Sequence, residues 1–379
     1  MIITLVVDSY KDASNGITIT TRRFAKILSE HGHEVFIMAG SVDDDEYIKG
    51  VELGISKIPV LYQVSRSQGF FFAKVNKEKI KEQVLKSDIV HFLVPFRVES
   101  YAKKLCDEYN IPSTAAFHLQ PENITSTLRL NKLEFANNFI YAHFKKFYDK
   151  FNHVHCPSDM IANQLREHGY TSNLHVISNG VSPIFKKKEV ERKAAWKDKF
   201  VILMIGRLSV EKRQDLIINA VLNSKYEKNI QIVLAGKGPE RARYEEMGLQ
   251  LTNKIEFGFY SEEELVDIIN QADLYVHSSD AEIEAISCIE AFSCGIVPII
   301  SDSKISATNQ FALDELNLFN KGNFISLRDK IEYWYDNPEL KAKRSEEYIE
   351  YSKQFALENC VYKLEEVFKE AINEVKGTK

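Results

Sequence analysis

The sequence predicts an α/β protein built from two doubly wound domains. Three observations carry this. Both halves open with the same order of elements, strand, polar turn, helix, strand. The strands are short continuous apolar runs rather than alternating ones, as in parallel sheets covered on both faces. Between the halves, residues 178–199 combine turn chemistry (Asn179-Gly180, Pro183) with a charged run that holds no strand. The expected domains are therefore 1–183 and 184–379.

In chain order, Ile2–Val7 reads as the first strand, followed by a turn at Asn15-Gly16, a helix over 17–31 and the strand "EVFIMAG". The start lacks a basic region and a cleavage site, so it is expected to be structure rather than a signal peptide. The second half opens with "KFVILMIG" (199–206), the turn "RLSVEKR", a helix over 214–224 and "IQIVLAG" (230–236). Strands near 255–258, 274–278 and 296–301 alternate with helices near 261–270 and 284–294. The tail is helical. Its last segment repeats apolar residues at helical spacing (Val361, Leu364, Val367, Phe368, Ile372), so this helix packs on something and is expected to cross back to the first domain.

The 379 residues carry a net charge of −5, split as +1 over residues 1–185 and −6 over the remainder, which argues against nucleic acid as a partner. No apolar run reaches the roughly 18 residues that a membrane span needs. The five cysteines are scattered without metal-ligand or disulfide spacing and read as buried thiols in a reducing cytoplasm.

Parallel sheets bind ligands outside the carboxyl ends of their strands, so the turns there are the places to search. In "GRLSVEKRQD" (206–215), Arg207 and Lys212 lie between a strand and a helix N-terminus. Two cations beside a positive dipole end suit a diphosphate, and a solvated basic turn fits the spacing equally. A P-loop is excluded, because its Gly-Lys-Ser/Thr ending is missing. Gly236 and Gly238 mark a tight turn after a strand, but Arg241 stands where a dinucleotide fingerprint needs a third glycine. "DAEIEAISCIEAFSCG" (280–295) sets Glu282, Glu284 and Glu290 in an otherwise apolar run. Carboxylates accept from vicinal hydroxyls. Glu282 is placed before a helix starting near Glu284 and Glu290 about two turns inside it, while Glu284 reads as a first-turn acid that the dipole stabilises. His118 follows the small-residue strand of "STAAFHLQPENI". A structural hydrogen-bonding role and a functional one both fit it.

These pieces, in this order, resemble the retaining glycosyltransferases of family 4, which have the GT-B fold of two Rossmann-like domains facing across a cleft. The resemblance spans nearly the whole chain. It rests on the early "NG" turn with "HGHEV", His118, "CPSDMI", "VISNGVSPIF", "GRLSVEKRQDLIINAV", "LAGKGPE" and "HSSDAEIEAISCIEAFSCGIVPII". It implies an N-terminal acceptor-binding domain and a C-terminal nucleotide-sugar-binding domain. Arg207 and Lys212 would neutralise the donor diphosphate. Gly16 would let the backbone approach the phosphate and sugar, Glu290 would take the ribose hydroxyls, and Glu282 the hexose hydroxyls. Gly236, Gly238, Ile283, Glu284 and Ala285 complete the donor side, and His118 lies on the acceptor side. The resemblance further implies no cofactor and no metal. It differs after Glu282, where many relatives carry glycine and this chain has Ile283-Glu284-Ala285, which makes the sugar less readable.

The segment 301–319 resembles bacterial diacylglycerol glycosyltransferases, which implies glucose or galactose passing from a UDP-sugar to a lipid. A basic stretch agrees with this. From Lys57 to Lys86 there are seven Lys and Arg against two Asp and Glu, with Phe70, Phe71 and Phe72 beside Lys74 and Lys77. That pattern suits a helix on an anionic membrane surface, at the inner face of the plasma membrane. An ordinary surface helix with a buried aromatic patch fits it equally. Residues 130–151, rich in aromatics, read as a mainly packed helix on the acceptor side with a wet basic end. A soluble or polyprenyl-linked saccharide acceptor, a non-catalytic nucleotide-sugar binder and a sugar-nucleotide epimerase are the alternatives.

Overall fold

Among the described residues, thirteen strands form two all-parallel sheets. The structure is a computed structural model that describes residues 1–11, 16–57, 70–127 and 134–377. It divides into two units. One comprises Met1–Pro121, Leu133–Asn179 and Leu357–Lys379; the other comprises Glu122–Lys132 and Gly180–Ala356.

The first unit holds β1 (Ile2–Val6), β2 (Glu34–Ala39), β3 (Lys49–Glu52), β4 (Ile89–Phe92), β5 (Ser113–Ala116), β6 (His153–Cys156) and β7 (Asn173–Val176), in the order β3-β2-β1-β4-β5-β6-β7. The chain runs outward from β1 through β2 to β3, then returns to β4 on the other side of β1. The strand order therefore reverses between β1 and β4. The helix Gly16–Glu30 buries Phe24, Ala25 and Leu28 against this sheet.

The helix Leu357–Gly377 belongs to the first unit. Its apolar stripe, Leu357, Val361, Leu364, Val367, Phe368, Ala371 and Ile372, enters the same core as Ile3, Leu5 and Ile37. The final helix thus packs with the first sheet, as the sequence predicts when it has this helix cross back to the first domain, and the second unit ends at Ala356.

The second unit holds β8 (Phe200–Ile205), β9 (Ile230–Ala235), β10 (Glu256–Gly258), β11 (Leu274–His277), β12 (Pro298–Asp302) and β13 (Leu318–Asn320), in the order β10-β9-β8-β11-β12-β13. Its reversal falls between β8 and β11, which pair through Leu274 with Ile202 and Tyr275 with Leu203. Both strands are almost wholly buried. The helix Glu262–Gln271 starts at a capping box in which Ser261 and Glu264 satisfy each other's backbone N–H groups. Among the described residues no helix is long and apolar enough to cross a membrane.

Candidate active site

At a reversal of strand order the loops leaving two adjacent strands diverge and open a crevice at their carboxyl ends. In the second unit these loops are 206–213 after β8 and 278–285 after β11. Arg207 and Lys212 lie on the first, Glu282 on the second. The Lys212 ammonium pairs with the Glu282 carboxylate, joining the two loops across the crevice. Ser278 Oγ donates to the Lys212 carbonyl at 2.8 Å, and Asp280 N–H donates to the Glu211 carbonyl at 2.8 Å. The carboxylate of Glu282 also lies 3.1 Å from His277 Nε2. His277 Nδ1 meets Tyr275 Oη at 3.1 Å, and Tyr275 Oη meets Ser287 Oγ at 3.0 Å.

Burial alone would push the Glu282 carboxyl upward. The charge of Lys212 and the hydrogen bond from His277 overcome it and hold the group well below the usual carboxylate range. Burial lowers His277, and Glu282 opposes that only in part. The outcome is a buried, ionised carboxylate. His277 was not singled out from the sequence, since at the end of an apolar strand it reads as one more strand residue.

Glu282 is in extended backbone, forming a bridge with Ser306, and its carbonyl accepts from Ala307 N–H at 2.9 Å. The following helix runs Ile286–Ser293 rather than from Glu284, and Ala285 caps it in left-handed conformation at φ 66° with no side-chain cap. Glu284 therefore precedes the helix as a buried residue and is not a first-turn acid. Glu290 sits just over one turn into the helix, not two, and is also buried. The helix Gln214–Leu222 likewise starts without a side-chain cap, after Arg213 at φ 55°. Two helix N-termini thus open on the crevice with their positive ends free of capping side chains.

Gly236 and Gly238 serve the loop that carries Arg207. A Cβ on Gly236 would lie 1.9 Å from the Gly206 carbonyl oxygen, and one on Gly238 2.2 Å from that of Leu208. Leu208 N–H donates to the Lys237 carbonyl at 3.0 Å and Glu240 N–H returns a bond to Leu208 at 3.0 Å. Only glycine permits this approach. Arg207 is half-buried, and its carbonyl accepts from Gln214 Nε2 at 2.8 Å.

In the first unit, Gly16 opens its helix in exposed, open space, while Asn15 lies outside the described residues. His118 is buried just past β5, edge-on to His155 with ring centroids 5.3 Å apart. Burial and the neighbouring His155 and His91 push it well below the usual imidazole value, so it is neutral. Asp8, past β1, and Glu99, on the helix Arg97–Tyr109, form a buried acidic pair at this unit's own reversal point. Asp8 is pushed up to about 6, chiefly by burial, and Glu99 well above its usual value by burial and Asp8. The sequence does not announce this pair, because nothing in the spacing of residues 8 and 99 connects them.

The aromatic trio departs from the expectation of exposed rings on a helix. Phe70, Phe71 and Phe72 are half-buried and precede the helix Lys77–Lys86. Phe70 and Phe72 stack edge-on with Phe96, at centroid distances of 5.6 and 5.0 Å. Lys74 and Lys77 are exposed. Residues 58–69 of the basic stretch lie outside the described residues. The helix Glu134–Tyr148 buries Tyr141, Phe144, Phe147 and Tyr148 but leaves Phe135 and Phe139 exposed by 70% and 73%.

The family profile described as Glycosyltransferase Family 4 matches residues 14–184, and that described as Glycosyl transferases group 1 matches residues 185–355. The chain belongs to the family 4-type glycosyltransferases of the GT-B fold. It is 24% identical over 306 residues to a GDP-mannose-dependent α-mannosyltransferase of Corynebacterium glutamicum, covering 79% of this chain and 72% of that one. Among solved structures, the Anabaena protein HepE in complex with UDP and glucose superposes with a TM-score of 0.73 at 15% identity, covering 98% of this chain and 100% of that one. The catalytic domain of cholesterol-α-glucosyltransferase from Helicobacter pylori is 43% identical over 41% of this glycosyltransferase and 99% of its own chain, with a TM-score of 0.41.

Proposed function

We propose that this glycosyltransferase moves a hexose, glucose or galactose, from a UDP-sugar to the hydroxyl of a membrane lipid such as diacylglycerol, with retention at the anomeric carbon and without a metal in the reaction. The observation that carries the donor half is the chain Lys212–Glu282–His277 spanning the reversal point of the second unit. Arg207, Lys212 and the uncapped start of helix 214–222 bind the diphosphate. Glu282, held ionised, accepts from the hexose hydroxyls beside the 283–285 backbone, and Glu290 from those of the ribose. As the sugar–phosphate bond breaks, its electron pair goes to the diphosphate, whose growing charge meets fixed cations and dipoles. The acceptor oxygen attaches from the same face, and its proton passes to the departing phosphate oxygen. No side chain of the enzyme need act as nucleophile.

The first unit presents the acceptor, with buried, neutral His118 past β5 and Gly16 opening its first helix as the residues the family resemblance points to there. The lipid reading draws on the basic residues of the 57–86 stretch, including exposed Lys74 and Lys77, and on exposed Phe135 and Phe139 ahead of Lys145 and Lys146. Together these suit an anionic surface, as in a peripheral enzyme of the cytoplasmic membrane face. The test is a grid of donors (UDP-glucose, UDP-galactose, GDP-mannose) against vesicles carrying diacylglycerol or a sterol and against soluble saccharides, with EDTA present. A UDP-hexose-dependent, α-linked glycolipid supports the reading. Transfer to soluble sugars alone overturns the acceptor, and donor binding without turnover overturns the activity.

A further inference from the structure

A second cluster of ligating side chains lies in the first unit, away from the carboxyl ends of its strands. His153 opens β6, His175 lies on the neighbouring β7, and Glu370 and Glu374 sit one turn apart on helix 357–377. His153 Nδ1 is 2.9 Å from His175 Nε2 and 3.8 Å from the Glu370 carboxylate. One ligand atom from each of these three residues lies within 4.8 Å of the other two. Zinc bonds nitrogen and carboxylate oxygen at roughly 2.0–2.2 Å, so tetrahedral ligand atoms stand about 3.3 Å apart. The observed spacings bracket that value.

The opposite side of the same imidazole supplies an independent observation. His153 Nε2 lies 3.1 Å from Glu374 Oε1, within ion-pair distance but off hydrogen-bond alignment, and Asn152 Nδ2 donates to Glu374 Oε2 at 2.8 Å. A ligating histidine commonly hands its other ring N–H to a carboxylate, which fixes the ring and raises its basicity, and that carboxylate is itself anchored. His153 is 3% exposed, so its ring is already held in place.

We propose that His153 Nδ1, His175 Nε2 and Glu370 form a zinc site, with water as fourth ligand and Glu374 as the orienting carboxylate behind His153. Two imidazoles and one carboxylate suit zinc rather than magnesium or calcium, which prefer all-oxygen shells. In the metal-free protein the two histidines share a proton along their 2.9 Å contact. Zinc takes its place, and His175 carries its own proton on Nδ1. The site joins the last helix to β6 and β7, so zinc bound there ties the helix to the sheet.

The full-length protein, stripped with chelator, is titrated with zinc chloride by calorimetry and followed by thermal denaturation, with His175→Gln, Glu370→Gln and Glu374→Gln alongside. Glu370 is 58% exposed, so its substitution leaves the fold intact. The expected result is one zinc per chain and a melting temperature that rises with zinc. Affinity should fall at least tenfold in Glu374→Gln, and the bound equivalent should be lost in His175→Gln and Glu370→Gln. Cobalt in the same site should show tetrahedral visible bands without thiolate charge transfer, which separates it from the buried cysteines. No binding by the stripped protein, or equal affinity in Glu370→Gln and His175→Gln, overturns the proposal.

Discussion

Glu282 is a buried carboxylate whose ionisation depends on two named neighbours, Lys212 and His277. Its folded pKa lies below its unfolded one, so the stability it contributes is present above the ordinary carboxylate value and is lost only as pH falls through the depressed one. In Lys212→Ala, burial prevails and the carboxyl rises. The variant should lose roughly 10²–10³ in kcat/KM and gain an acid-side limb in its pH–rate profile that the wild type lacks. Asp8 titrates in the opposite sense. Raised to about 6, it favours the fold while protonated, so its stabilisation is complete below its ordinary value and is lost as pH rises through 6. Asp8→Asn keeps an acceptor for the Ala73 N–H and should melt higher than wild type above pH 6, by about 1–3 kcal/mol, with no gain below pH about 4. Melting curves from pH 3.5 to 8 check this. At this scale the sequence showed Lys212 and Glu282, because both stand in turns after strands. It hid His277 and the Asp8–Glu99 pair, whose meaning comes from neighbours distant in the chain or from a strand's last position.

Elements account for where those residues stand. The parallel strands were legible because continuous apolar runs have no other soluble home, and β8, β9 and β11 lie within a residue or two of their expected limits. The helix after Glu282 starts two residues later than the sequence predicts because its cap is Ala285 in left-handed backbone, a choice that no capping side chain announces. The basic-aromatic stretch reads in sequence as one helix, whereas Phe70 and Phe72 pack on Phe96 before the helix begins. That packing needs tertiary partners that periodicity does not encode. The two glycines after β9 are the clearest test at this scale. Gly236→Ala drives a methyl group into the Gly206 carbonyl, which is backbone and cannot swing aside. The loop carrying Arg207 must move, at a cost of about 1–3 kcal/mol. UDP affinity should fall with it, while Gly16→Ala, whose added Cβ meets nothing within 4 Å among the described residues, should melt like wild type. Calorimetric UDP titration and melting curves of both variants check the contrast.

The whole molecule consists of two sheets with separate cores, and chain order does not divide them cleanly. The stripe from Val361 to Ile372 announced a helix with an apolar face, and its destination is the first sheet's core. Phe368 is fully buried there, its ring tilted against that of His91 with centroids 5.2 Å apart. Truncating a buried phenylalanine costs about 3–5 kcal/mol, through lost transfer energy and the cavity left behind. That is a large share of the roughly 5–15 kcal/mol that holds a typical domain folded. Phe368→Ala should therefore lower the denaturation midpoint of the first unit. The second unit's core contains no residue of this helix, and Arg207, Lys212, Glu282 and Glu290, which carry most of the proposed donor contacts, belong to that unit. The two effects should then separate. In denaturant titrations Phe368→Ala should split one transition into two, or widen an existing gap, while UDP affinity at low denaturant stays within about twofold of wild type. A variant that loses UDP binding in step with its first transition would mean that the donor site draws on the first unit for its integrity.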